Sequence, residues 1–551
     1  MLRTLILAGY LLILAGLGLL ARRRRQSGDV DFFLASRSIG PVLMLLTMAA
    51  TNFSAFTVLG FAGEGYRHGY AYYPIMAFGT GFMAVSFLFI GIPANRAARA
   101  CGAVTPPELI YHRFRNRALH AAFLACMIVF TLPYLAVQPL GAGIVLQKLL
   151  GIPYSWGAAL VVAIGTGYLL LAGLRGDALT DALQGAVMLL AMALAFVGIT
   201  RVLGGFTDAN LRVYEQTPTL FGRPGAAGQF TLAIWFSYMA LWLLCDPLFP
   251  QLFQRFMAAR DDRSLHVTAA LYPLVTGLLF FLPVATGVLA RLIDPALKTG
   301  TDKILPLAVD RLLPPWTGAL VTAGALAALM STMDSQLLTL SSMVVRDLRL
   351  LFRREPEPRF PWNRLAVAGL GLAGLILALR PPGTILDILT KTTFSGLAVL
   401  FPVTLAAVYW RQANPWAGIA SIVAGETVVM LCYFRLLPDF GLLPAIPAVV
   451  IAALVLVVGS LIWPATGLSP WATVSWNSLR SVLPFALLFL LAVDFWNWNR
   501  TELLWLGLPG WLWYFFGLQA LLLLMLVSWP ALAARAQAHP GHEPGNAPGR
   551  S

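Results

Sequence analysis

Apolar residues in this chain come in long runs, not in the two-residue alternation of half-buried strands or the single stripe of a water-exposed helix. Each run is close to the ~20 residues that cross a bilayer as a helix. They are read at 3–20, 40–66, 70–94, 118–148, 154–173, 178–202, 228–252, 265–292, 316–346, 362–380, 385–410, 415–435, 443–463, 478–496 and 504–530. In lipid each backbone polar group needs a partner within the chain, and a helix supplies those partners inside its own segment. The expected fold class is all-α, a polytopic membrane protein of about 13–15 spans.

Two of the runs are interrupted. In 40–66, Ala49-Ala50-Thr51-Asn52-Phe53-Ser54 precedes Gly60, Gly63 and Gly65. In 228–252, Trp242, Asp246, Pro247 and Pro250 break the apolar sequence. Counted from the second span, these are the first helices of two successive groups of five. Interrupted helices in matching positions point to an inverted-repeat transporter with a site at mid-depth; two ordinary kinked helices are the plainer alternative. A third run, 316–346, is polar on one side. Ala328, Ser331, Thr332, Ser335, Thr339 and Ser342 share one face of a helix, with Asp334 among them. A carboxylate at mid-membrane costs about 2.5–3.5 kcal/mol on insertion scales, so this stretch reads as an ion or substrate pathway.

Composition removes the alternatives. The chain has 551 residues, of which 59% are hydrophobic and only 11% charged, with mean hydropathy +0.77. No water-soluble interior hides that much apolar sequence. The net charge of +14 would suit nucleic acid if it were spread over a soluble surface. Instead the basic residues collect in Arg22 to Arg25, between Arg96 and Arg117, and between Arg346 and Arg364. Placing those segments inside sets the orientation in a cell inner (plasma) membrane: N-terminus outside, C-terminus cytoplasmic. Residues 1–20 are as apolar as a signal peptide, but the basic cluster follows the run, so they read as a first span. Cys101, Cys126, Cys245 and Cys432 form no metal-binding spacing. The longest connections, 201–227 and 293–315, fall outside, where they would cap an entrance. No HExxH, nucleophile–base pair or phosphate loop is found, which argues against an enzyme.

Five stretches resemble the sodium:solute symporter family. Asp31-Phe32-Phe33-Leu34-Ala35-Ser36-Arg37-Ser38-Ile39-Gly40 is similar to the family's D-Y-F-L-G-G-R-S-L-G. Ala50-Thr51-Asn52-Phe53-Ser54-Ala55-Phe56 is followed by Gly60. Thr180-Asp181-Ala182-Leu183-Gln184-Gly185 resembles T-D-x-x-Q-G. The most specific, Ala328-Leu329-Met330-Ser331-Thr332-Met333-Asp334-Ser335-Gln336-Leu337-Leu338, is close to A-x-M-S-T-x-D-S-Q-L-L. Gln254-Arg255-Phe256-Met257-Ala258-Ala259 is a weaker match. The resemblance implies a LeuT-type 5+5 inverted-repeat core at 31–412. It follows a first helix and basic inner loop at 1–30, and precedes added helices at 413–532 and a disordered cytoplasmic tail at 533–551. It also implies import of a small polar metabolite, an organic acid, amino acid or similar, by alternating access and driven by sodium. No organic cofactor and no nucleic acid are implied; the oligomeric state is left open.

Carried over residue by residue, the sodium site is formed by the carbonyls of Ala50, Phe53 and Ala328 and the hydroxyls of Ser331 and Thr332. Oxygen ligands suit a hard cation. The alternative is that Ser331 and Thr332 bond back to carbonyls one turn earlier. A second cation site would use Thr51, Asp181, Asp334 and Ser335; the rival reading makes Asp181 a helix N-cap at the inner surface. Asn52 departs from the sodium/proline members, which have Asp there. The substrate is expected beside the two breaks, at Asn52, Ser54, Phe56, Tyr238, Trp242 and Asp246. Asp246 stands where the sodium/proline members have an aromatic residue. Lys391 would either attract an anionic substrate or reach towards the outer face. Glu64 and Arg67 read as gate or surface charges. A sensor on the same fold, or a membrane enzyme with an unrecognised site, are the competing functions.

Overall fold

The structure is a computed structural model that describes residues 2–23, 28–54, 56–226, 228–297, 300–352, 362–380, 392–438, 441–466, 469–472 and 476–538. Among them nine helices are long and apolar enough to cross a membrane, a bent pair brings the number to ten, and five shorter apolar helices accompany them. Strand pairing among the described residues is confined to isolated bridges at Ile39–Ala259 and Leu503–Pro509. The helices follow the apolar runs: Arg117–Leu150, Pro415–Tyr433 and Ala445–Ile462 stand where 118–148, 415–435 and 443–463 were expected. Lys391 lies outside the described residues.

At the centre is Pro315–Ser342, buried along almost its whole length. It packs most extensively against Tyr154–Val202. That second element is two helices meeting at Gly173, whose φ of 60° and ψ of −159° kink the chain without a loop. Only glycine fits: the backbone lies in a region that L side chains avoid, and a Cβ there would sit 2.6 Å from the Phe32 carbonyl oxygen. Arg175, the second residue of what had looked like a connecting loop at 174–177, is helical, and its guanidinium pairs with Asp31 at 3.2 Å. The helix Leu2–Arg23 packs on both central elements.

Both interrupted runs are broken in the structure. Pro41–Asn52 ends at Phe53, which is extended (φ −97°, ψ 106°), and helix resumes through the π-turn Phe56–Gly60 into Phe61–His68. Leu232–Cys245 passes through the short turn Asp246–Leu248 and restarts at Pro250. The two halves of this second helix are bent by 54°. The second half runs to Ala258, six residues past the predicted end at 252, and every residue in it is buried.

The connection 203–231 and the last helices are fastened together. Arg223, in the connection before Leu232, is 1% exposed and pairs with Asp494 at 2.8 Å. Its guanidinium lies 4.9–5.0 Å from the rings of Trp235, Trp498 and Trp511. The same connection leans on the C-terminal end of the first broken helix, where the Phe230 and His68 rings are 5.3 Å apart. The final helix, Gly510–Ala538, extends six residues into the tail expected to be disordered from 533. Alanines at 531, 533, 534, 536 and 538 favour helix, and Pro540 follows. Residues 539–551 are outside the described part.

Candidate functional site

The first break has a direct chemical consequence. A helix leaves its last carbonyls without intrahelical donors. Here the Phe53 amide reaches back to Ala49 at 3.1 Å, while Ala50 and Thr51 turn towards Pro315–Ser342. Ser331 Oγ lies 2.8 Å from the Ala50 oxygen and 3.1 Å from that of Ala328. Thr332 Oγ1 lies 3.2 Å from the oxygens of both Thr51 and Ala328. Each hydroxyl has one proton and faces two acceptors, so it satisfies only one of them at a time. Oxygen lone pairs therefore outnumber protons in a buried space, an arrangement that suits a small hard cation. Ala50, Ala328, Ser331 and Thr332 converge as expected. The carbonyl that meets Thr332 is that of Thr51; Phe53 is the residue at the turn, its ring edge-on to Phe280 at 5.0 Å. The back-bonding alternative is also present, because both hydroxyls reach Ala328 on their own helix.

One layer away, Thr51, Asp181 and Ser335 converge around a cation already in the chain. Arg255 Nη2 donates to Asp177 at 2.8 Å, Asp181 at 2.7 Å and Ser335 at 2.6 Å. Its Nε donates to Thr47 at 2.9 Å. Thr47 and Thr51 hydroxyls donate to Asp181 at 2.6 and 3.1 Å. All of these groups are buried. Asp181 thus takes side-chain donors rather than capping a helix at the surface. Asp334 is apart from this cluster: it packs against Gly165, where a Cβ would come within 2.5 Å of its Oδ1, and neither carboxylate oxygen has a hydrogen-bond partner among the described residues. Sequence reading placed Arg255 beyond the end of its span. Its signal was a basic residue within one turn of two glutamines, Gln251 and Gln254, all on one short segment after Pro250.

Between the two breaks is a narrow space of about 30 Å³, lined by Asn52, Ser54, Trp242 and Asp246 from the expected set. That holds about one water, and rings must part to admit a metabolite. Asn52 Nδ2 donates to Tyr272 Oη at 2.8 Å and approaches Asp246 Oδ2 at 3.5 Å. Tyr134, Phe249, Phe280 and Phe394 supply much of the rest of the wall, and none of them stood out in the sequence. Tyr238 is not in the wall; its ring faces Phe230 at 6.3 Å. Phe56 opens the π-turn below the break. Glu64 is buried and pairs with Arg67 at the outer end.

Two broken helices crossing a polar-faced central helix define a secondary transporter of the LeuT-type fold. The chain belongs to the sodium:solute symporter family, which it matches over residues 32–425. It is 28% identical over 464 residues to the sodium/pantothenate symporter of Escherichia coli K12, covering 82% of this chain and 95% of that one. The osmoregulated proline transporter OpuE of Bacillus subtilis is 28% identical over 423 residues, covering 74% and 84%. Among solved structures, a Na+-coupled sialic acid symporter in a substrate-bound outward-open state superposes with TM-score 0.70 at 18% identity, over 85% of this chain and 99% of its own. The nucleobase-cation-symport-1 transporter Mhp1 gives 0.53 at 14% identity, over 78% and 94%. At these identities the structures speak for the fold. The protein is a sodium-coupled importer embedded in the membrane, not an enzyme.

Proposed function

We propose that sodium is held where the first broken helix meets Pro315–Ser342, by the carbonyls of Ala50, Phe53 or Thr51, and Ala328 with the hydroxyls of Ser331 and Thr332. A small polar metabolite then binds in the adjacent space between Asn52 and Asp246. Closing the break around the ion ties the first broken helix to the central one. Sodium and substrate therefore stabilise the same arrangement, which is the requirement for coupling. Arg255 is the resident cation of the neighbouring carboxylate cluster, so we assign transported sodium to the hydroxyl site alone. The N-terminus is outside and the C-terminus cytoplasmic, as the distribution of arginine supports.

The observation that carries the reading is the pairing of Ser331 and Thr332 with carbonyls of the break, 281 residues away in sequence. The experiment is a thermal melt of purified protein in sodium and in potassium at equal ionic strength. Sodium is expected to raise the melting temperature of the wild type and not of the Ser331→Ala, Thr332→Ala variant, while both insert normally in the membrane. A sodium response that survives the double substitution places the ion elsewhere.

A further inference from the structure

The carboxylate of Asp246 is 1% exposed, at the break of the second helix. Its neighbours are poor partners for a charge. The Asn52 amide is 3.5 Å away and the Cys245 thiol 3.8 Å. Among the described residues it makes no ion pair, and none of the residues lining the space is basic. By contrast Asp177 and Asp181 share Arg255, and Asp494 has Arg223. A buried carboxylate without a counter-charge is costly, and more so within a bilayer.

Beside Asp246 the wall is aromatic. Phe394 contacts Trp242, Tyr134 and Phe249 with ring centres 5.5, 5.3 and 5.2 Å apart. Trp242 is 5% exposed and its indole N–H has no partner among the described residues. Ring faces attract a positive nitrogen within about 6 Å, increasingly so when water is excluded. An anionic substrate would find no basic side chain in the described wall and would itself be an uncompensated buried charge, whereas a cation would be neutralised by Asp246.

We propose that the substrate of this site is an organic ammonium compound, its positive nitrogen held against the Asp246 carboxylate within the rings of Trp242, Tyr134, Phe249 and Phe394. This rests on the space between the breaks being the substrate site. It separates the chain from a carrier of simple carboxylates, although one of its relatives is named for pantothenate.

The test uses the purified full chain, melted in sodium chloride with choline, pyrrolidine, L-proline or pantothenate. Sodium without an organic compound reports on the ion site separately, so failure of the sodium reading is seen on its own. An ammonium compound is expected to raise the melting temperature further. In Asp246→Asn its half-maximal concentration should rise at least about tenfold, as for loss of a buried charge pair, with the sodium response retained as evidence of folding. Four outcomes overturn the proposal: stabilisation by pantothenate but by no ammonium compound, an ammonium response unchanged in Asp246→Asn, no ammonium response in a protein that still responds to sodium, or loss of the sodium response itself in Asp246→Asn.

Discussion

Replacing Arg255 by methionine isolates the energetics of the second cluster. The guanidinium bridges the second broken helix to Asp177 and Asp181, with distances of 2.8 and 2.7 Å, and to Thr47 on the first broken helix at 2.9 Å. Methionine fills most of the volume and removes the charge. Asp181 would keep the hydroxyls of Thr47 and Thr51, and Asp177 that of Ser335 at 3.2 Å. Two carboxylates would nonetheless be left buried without a cation, a loss of about 3–5 kcal/mol by analogy with broken buried pairs. Neutralising the carboxylates as well, with Asp177→Asn and Asp181→Asn, should bring the triple variant within about 1–2 kcal/mol of the wild type, because no charge is then left unpaired. Denaturant unfolding in detergent, followed by fluorescence of the chain's 16 tryptophans, measures both. A single variant that loses less than about 1 kcal/mol, or a triple variant as unstable as the single one, would refute the charge argument.

Other consequences are equally direct. Because Arg255 supplies the cation of its cluster, uptake should depend hyperbolically on sodium concentration; a sigmoidal dependence in proteoliposomes would mean a second sodium. Gly173→Ala should cost at least about 2 kcal/mol, since the backbone is strained for any side chain and the new methyl meets the Phe32 carbonyl; denaturant unfolding checks it, and a near-neutral result would mean that the kink at this position is not held. Gly165→Ala brings a methyl against Asp334 and Met333, at 2.5 and 2.4 Å from their nearest atoms. It should destabilise by about 1–3 kcal/mol as an overpacked contact does, and Asp334→Ala should relieve part of that loss in the same unfolding assay.

Much of the architecture can be read from hydropathy because a bilayer imposes a length on each helix. The ends were misread where a charge is buried with a partner. The stretch Gln251 to Arg255 looks like a membrane exit, yet it is interior because two aspartates from a distant helix meet it. Arg175-Gly176-Asp177 looks like a loop for the same reason, with Asp31 as the missing partner. At the site, the hydroxyl stripe of Ser331 and Thr332 and the break after Asn52 each have a local signature, whereas Ala50 was named through the family resemblance. Tyr134, Tyr272 and Phe394 have none: an aromatic residue in an apolar span looks the same whether it faces lipid or substrate. Only the packing of the spans decides.

The aromatic enclosure around Arg223 bears on where this protein could be shortened. It joins the connection before Leu232, which rests on the end of the first broken helix, to tryptophans supplied by the far carboxy-terminal region. Cutting the chain before Asp494 would strip that arginine of its carboxylate and two of its three indoles, leaving a buried cation with Trp235 alone. The repeat core is therefore not a detachable engine, and its later additions are part of the doorframe.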